Sequence, residues 1–298
     1  MRMTAATGLT WSEPMLTWEE RANLLREESR NFQQYLADLP ESAWEQQSTC
    51  DLWLVKDVVG HLVGNAEFYA MTVERGLSGQ LEPLPGRPPA GTGHPSVGAA
   101  NTAAGGIASR ERLGDQLLAT LEASTEHLLQ LLLGLRAADR HTPCYHPGGI
   151  VPAENFVDLR FKELGLHQWD IRSVLEPGVG VVPGSWSSMI ILITESLASG
   201  SLRWAFWEGP ALSHPVRYRF EVPEPTVFRA DIVVEGDKFR LEPPSEHPAE
   251  VELGCDAGTL GLLMSGRLAV SDAVSQSKVV LKGDSGLAFQ FSEWFKGI

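Results

Sequence analysis

Three side chains in this sequence could share one metal ion. Glu163 and His167 stand four residues apart in the segment ENFVDLRFKELGLHQWDIR, residues 154–172. On a helix that spacing puts both on one face, one turn apart. His61 sits among apolar neighbours in VVGHLVG. Each signal alone has an ordinary explanation. A lone histidine on an apolar helix is commonly a core residue hydrogen-bonded to a neighbour, and Glu–His pairs at this spacing are common on solvated helices. Together they match the way a helical bundle builds a metal site, from inward side chains on facing helices. Three protein ligands leave a fourth position open, the arrangement of catalytic rather than structural zinc. A divalent metal, zinc before others, is therefore expected between His61, Glu163 and His167. Asn65 follows His61 by one turn, and Asp170 follows Glu163 by about two. Either could orient a ligand or a bound small molecule. The alternatives are a helix–helix hydrogen bond for Asn65 and an ion pair with Arg160 or Arg172 for Asp170.

The cysteines do not compete for this role. Cys50, Cys144 and Cys255 are odd in number and widely separated, with no CxxC pair. Neither a disulfide framework nor a thiolate zinc cluster is expected. The formal net charge of −14 opposes phosphate backbones and anionic membranes, so no nucleic-acid or membrane partner is expected. No apolar run reaches the roughly 18 residues of a spanning helix, and the first residues lack a hydrophobic signal core. The expected location is the cytoplasm.

The elements that must carry these residues are helical over the first two thirds of the 298-residue chain. Apolar periodicity predicts helices over 17–38, 54–76, about 110–138, about 152–175 and about 185–207. Thr17 with Glu20 forms a capping-box pattern, and Gly76 suits a helix end. Residues 79–106, rich in Gly, Pro and Ala, predict a long loop, and CYHPGG a turn. From about 212 the pattern changes. PVRYRFEV (215–222), FRADIVVEG (228–236) and AEVELGC (249–255) alternate as strands do. TLGLLMSGRL predicts a short helix, KVVLKGD a last strand and GLAFQFSEWFKGI a last helix. The expected division is a helical bundle over 1–211 and a small α+β domain over 212–298.

DLWLVKDVVGHLVGN, with Trp53 ahead of His61, resembles the second helix of the DinB-like superfamily. RFKELGLHQWDI is similar to the fourth-helix motif of one branch of it, the mycothiol-dependent maleylpyruvate isomerase family. That motif carries a Glu, a His four residues on, and then an Asp. The stretch from Thr259 to Phe295 resembles the sterol-carrier-like domain that follows the bundle in this family. The resemblance implies a DinB-like four-helix bundle with a sterol-carrier-like α+β domain. It implies that His61, Glu163 and His167 are zinc ligands, and that a low-molecular-weight thiol such as mycothiol is the cosubstrate. It also implies a catalytic arginine in the C-terminal domain, for which Arg267 in LLMSGRL is the candidate; its alternative is a surface residue at a helix end.

Such a centre would lower the pKa of an incoming thiol and make a nucleophile without a nearby base. The partners expected are then a small-molecule thiol and an electrophilic substrate, joined in an isomerisation or an S-transfer, with Arg267 gripping a carboxylate. The competing expectations are a carrier of apolar ligands or a zinc-binding regulator. His146 is the only further histidine with a setting worth following, and Cys144 reads as structural.

Overall fold

The structure is a computed structural model. It describes residues 16–92, 95–199, 206–223, 227–242 and 246–297. The chain divides into two compact units, residues 16–188 and, among the described residues, 189 onward.

The first unit is built on long helices. Helix α1 (Trp18–Ala37) starts at the predicted capping box, in which the Glu20 N–H donates to Thr17 Oγ1 and the Thr17 N–H to Glu20 Oε2. It buries Ala22, Leu25, Ser29, Phe32 and Leu36, one stripe at helical spacing. A single turn, α2 (Glu41–Trp44), leads through a loop to α3 (Val55–Leu77), α4 (Pro95–Leu113) and α5 (Leu117–Leu133). A hairpin of β1 (Pro143–His146) and β2 (Gly149–Pro152) precedes α6 (Asn155–Leu175). Helix α3 packs against α4, α5 and α6, and α1 against α5 and α6. Thus α1, α3, α5 and α6 make the four-helix bundle. The division between units falls in α7 (Trp186–Ser199).

Two sequence expectations are corrected here. The loop expected over 79–106 gives way to helix at Pro95, a residue suited to a first helical position. Ala99, Ala100, Ala103 and Ala104 favour helix. One of the glycines that suggested a loop, Gly106, serves close packing instead. A Cβ on Gly106 would stand 3.1 Å from the Asp57 carbonyl oxygen and 3.2 Å from the Trp53 ring. The second correction concerns the helix expected over 110–138. It is interrupted at Gly114, whose φ of 49° needs a residue without a side chain. A short 3₁₀ turn follows before α5.

The second unit holds a five-stranded sheet of β3 (Val216–Val222), β4 (Phe228–Val234), β5 (Phe239–Glu242), β6 (Val251–Gly254) and β7 (Val280–Gly283). The strand order is β5-β4-β3-β6-β7, with only β3 and β6 parallel. Helices α8 (Ala257–Met264) and α9 (Val270–Ser275) lie between β6 and β7, and α10 (Ser285–Trp294) follows β7. Phe291 of α10 sets its ring 5.2 Å from Tyr218 and 5.4 Å from Phe220 on one sheet face. The other face carries a buried charge network in which Asp231 accepts from Arg217 and twice from Arg219. Strand β5 and helix α9 were not foreseen, being too short to show a period. The helix expected over 185–207 is described only to Ser199, and residues 200–205 lie outside the described residues. No described helix is long and apolar enough to cross a membrane.

Candidate metal centre

Helix α6 is buried nearly all round, which lets it aim polar residues inward. Arg160, Glu163, His167 and Asp170 fall on one stripe of it. Helix α3 faces this stripe with His61. The structure brings His61, Glu163 and His167 together, with donor atoms all within 4.8 Å of one another. His61 Nε2 lies 3.2 Å from Glu163 Oε2, and His167 Nε2 lies 3.5 Å from the same oxygen. The imidazole rings meet edge to face, centroids 4.6 Å apart. Zinc holds nitrogen and oxygen ligands at about 2.0–2.1 Å, so neighbouring tetrahedral ligands stand about 3.3–3.4 Å apart. The two spacings to Oε2 bracket that value, so this donor set fits a tetrahedral divalent ion.

The surroundings orient these donors. Asp170, fully buried, accepts from His167 Nδ1 at 2.8 Å. That fixes the proton on Nδ1 and leaves Nε2 to point at the centre. Asp170 is itself held by Thr49 Oγ1 at 2.8 Å and Cys50 Sγ at 3.2 Å, from the loop before α3. Trp53 stacks on His61 with centroids 4.9 Å apart, and its indole N–H donates to the Ala103 carbonyl of α4. Lys162 Nζ lies 3.3 Å from the other Glu163 oxygen. His61 and Glu163 retain 13% and 17% of their side-chain exposure, so the centre is open on one side.

The electrostatics differ between the two histidines. Burial lowers the His61 pKa to about 4, so it is neutral and ready to ligate. Burial acts the same way on His167, but hydrogen bonds with Asp170, Cys50 and Glu163 outweigh it and raise its pKa to about 10. Burial opposes the Glu163 charge. Lys162 and the two histidines overcome it and hold the carboxyl well below its usual range.

The other sequence candidates are placed as follows. Asp170 turns to His167 rather than to Arg160 or Arg172, and Arg172 pairs with Glu176 at 2.7 Å. Asn65 makes the helix–helix bond that was its alternative, accepting from Arg160 at 2.8 Å. Arg267 lies half-buried in the other unit, in the turn after α8. His146 packs against Tyr69 and Phe156, with Nδ1 accepting from the Gly148 N–H. Burial lowers its pKa to about 4. Cys144 is buried, and burial lifts its thiol to about 11, which suits a structural role. His127 and His141 pair with surface glutamates, and His94 lies outside the described residues. Thr49, Cys50 and Arg160 escaped notice as site residues. For Arg160 a signal existed, since it precedes Glu163 by three on the same stripe. For Thr49 and Cys50 there was none, because only the fold brings that loop to α6.

Residues 25–172 match the model of the mycothiol maleylpyruvate isomerase N-terminal domain, and residues 211–296 that of the SCP-2 sterol transfer family. No curated protein matches the chain by sequence. Among solved structures, the chain is similar to a crystal structure of the mycothiol-dependent maleylpyruvate isomerase. The identity is 16% and the TM-score 0.58, over 90% of this chain and 93% of that one. A histidine-to-alanine mutant of the isomerase gives the same figures. At this identity the likeness is one of fold.

Proposed function

Because the chain belongs to the mycothiol-dependent maleylpyruvate isomerase family, we propose that it is a metal-dependent enzyme that activates a low-molecular-weight thiol for addition to an electrophilic small molecule. The observation that carries this reading is the convergence of His61 and His167 on one oxygen of Glu163 at ligand spacing. A divalent ion such as zinc held there supplies the positive charge that lets a thiol ionise at neutral pH.

The protein's own residues do the rest. Asp170 keeps the His167 proton on Nδ1 and so frees Nε2 as a donor. Thr49 and Cys50 keep Asp170 from turning away. Trp53 fixes the plane of the His61 ring. Both imidazoles would then be held in place as a thiol enters from the open side. Addition to an activated double bond permits rotation about it, and elimination returns the thiol, which is isomerisation. If the adduct is released instead, the same residues perform S-transfer. Arg267 is retained as the candidate group for a substrate carboxylate.

Cobalt-substituted protein titrated with mycothiol tests the reading. A sulfur-to-cobalt charge-transfer band that saturates at one thiol per chain is expected. No band, with cobalt bound, would remove the thiol from the mechanism.

A second reading rests on the second unit. Val222, Val227, Phe228 and Val280 line a cavity of about 640 Å³, whose wall also carries Lys278 and the ion pairs Arg229–Glu221 and Lys282–Glu252. The apolar part of this lining suits an apolar ligand, in line with the carrier alternative. Displacement of a fluorescent fatty acid from the intact chain would test it.

A further inference from the structure

We infer that Arg160 is a positioning residue of the centre, holding α3 and α6 in ligand register and supplying the charge that favours an anionic thiolate over neutral water at the open position. This deepens the proposed function and rests on it. Arg160 is only 1% exposed, among the largest fully buried side chains of the protein. Its NH1 donates to the Leu62 carbonyl at 3.0 Å and to Asn65 Oδ1 at 2.8 Å, and its NH2 to Thr125 Oγ1 at 3.3 Å. Leu62 directly follows His61, so one guanidinium ties the His61 turn of α3 to the Glu163 turn of α6 and to α5.

Every one of those partners is neutral, and Nε has no partner among the described residues. A cation this deeply buried ordinarily comes with a carboxylate, because burying it unpaired costs several kcal/mol. The nearby acids are committed elsewhere. Asp158 pairs with Arg21 and Ser188, and Asp170 with His167, Thr49 and Cys50. The anionic group that acts on Arg160 across space is Glu163, on its own helix; burial keeps the Tyr69 phenol of α3 protonated and neutral. His61, on α3, feels the Arg160 charge from the facing helix α6. Burial lowers the Arg160 pKa to about 10, so it remains a cation at neutral pH.

Helix packing does not need this charge; a methionine would fill similar space without the desolvation cost. Charge balance gives it a purpose. A divalent ion at the centre is neutralised by Glu163 and Asp170 together. Arg160, with Lys162 at the solvent edge, leaves the centre positive. A bound thiolate would offset one of those two positive charges, and water would offset none.

The test uses the full chain loaded with cobalt, comparing wild type with Arg160→Met and Arg160→Lys and titrating each with N-acetylcysteine at pH 7.5. Both variants are expected to fill to one cobalt per chain when cobalt is in excess, but Arg160→Met with weaker cobalt affinity than Arg160→Lys, because it loses the tie between α3 and α6. Arg160→Met should weaken thiol binding roughly tenfold to thirtyfold, the effect of a unit charge at roughly 8–10 Å where the effective dielectric is about 20. Arg160→Lys, which keeps the charge, should stay within about threefold of wild type. If Arg160→Met fails to fold, Arg160→Gln carries the same expectation. Unchanged thiol affinity in a cobalt-loaded Met or Gln variant would overturn the inference, as would equal loss of cobalt from the Lys and Met variants. Failure of the wild type to bind cobalt or thiol would instead overturn the proposed function beneath it.

Discussion

Asp170→Asn should weaken metal binding strongly at high pH and much less near neutrality. Asp170 is fully buried and accepts from His167 Nδ1 at 2.8 Å. Removing such a partner from a ligating histidine commonly costs 10- to 100-fold in metal affinity, or about 1.4–2.7 kcal/mol. The same carboxylate also raises the proton affinity of His167, whose pKa reaches about 10 against the opposing effect of burial. At pH 7 the metal must therefore displace a proton at a cost of about 4 kcal/mol, about 1.36 for each of roughly three units. Below its pKa, His167 makes wild-type affinity climb about tenfold per pH unit. In Asp170→Asn the burial effect dominates, His167 becomes neutral near pH 7, and the climb flattens. The two opposing effects offset each other at neutrality and separate at high pH. Competition against a chromophoric chelator between pH 6.5 and 9 measures both slopes. The expected result is a deficit that grows with pH, together with about one proton released per metal by wild type at pH 7.5. A deficit of constant size across the range, or no deficit at pH 9, would refute the reasoning.

Gly60→Ala should lower the melting temperature by several degrees, because a Cβ there collides with the Gly106 carbonyl oxygen where α3 meets α4; overpacking of this kind costs about 1–3 kcal/mol. A melting temperature unchanged within error would show that the helices move apart freely. Asp231→Ala should cost about 1–3 kcal/mol in urea unfolding of the second unit, since it removes the buried carboxylate that Arg217 and Arg219 share, while Arg217 keeps Glu242 and Arg219 keeps the His247 carbonyl. Metal-free protein should lose stability as pH falls from about 6.5 towards 4. The folded state resists protonating His61 and His146, each held near pKa 4 by burial, while the unfolded chain accepts the protons. Equal urea midpoints at pH 7 and 4.5 would contradict that assignment.

The centre was legible in the sequence because helical periodicity fixes what a single helix can place together. Glu163, His167 and Asp170 share a face of α6 by spacing alone. That His61 meets them required only a bundle with inward polar residues, and the apolar context of His61 placed it inward. What periodicity could not show was anything that depends on a loop or on close backbone approach. Thr49 and Cys50 reach Asp170 only after the chain folds across more than a hundred residues. Asn65 was placed on the right face, yet its partner is Arg160, because a buried guanidinium outcompetes a distant ligand for its oxygen. The first part of α4 misled because Gly and Pro signal loops locally, whereas Gly106 within the helix lets Trp53 and α3 come close. In the second unit the alternating strands were plain, but β5 and α9 span too few residues to show a period.

The central claim is that His61, Glu163 and His167 hold one divalent ion. Elemental analysis of the purified wild type beside His61→Ala and His167→Ala tests it most directly. The expected result is close to one equivalent of zinc or another divalent metal per wild-type chain and almost none in either variant. Full metal content in both variants, or a wild type that takes up no metal when supplied with it, would contradict the claim.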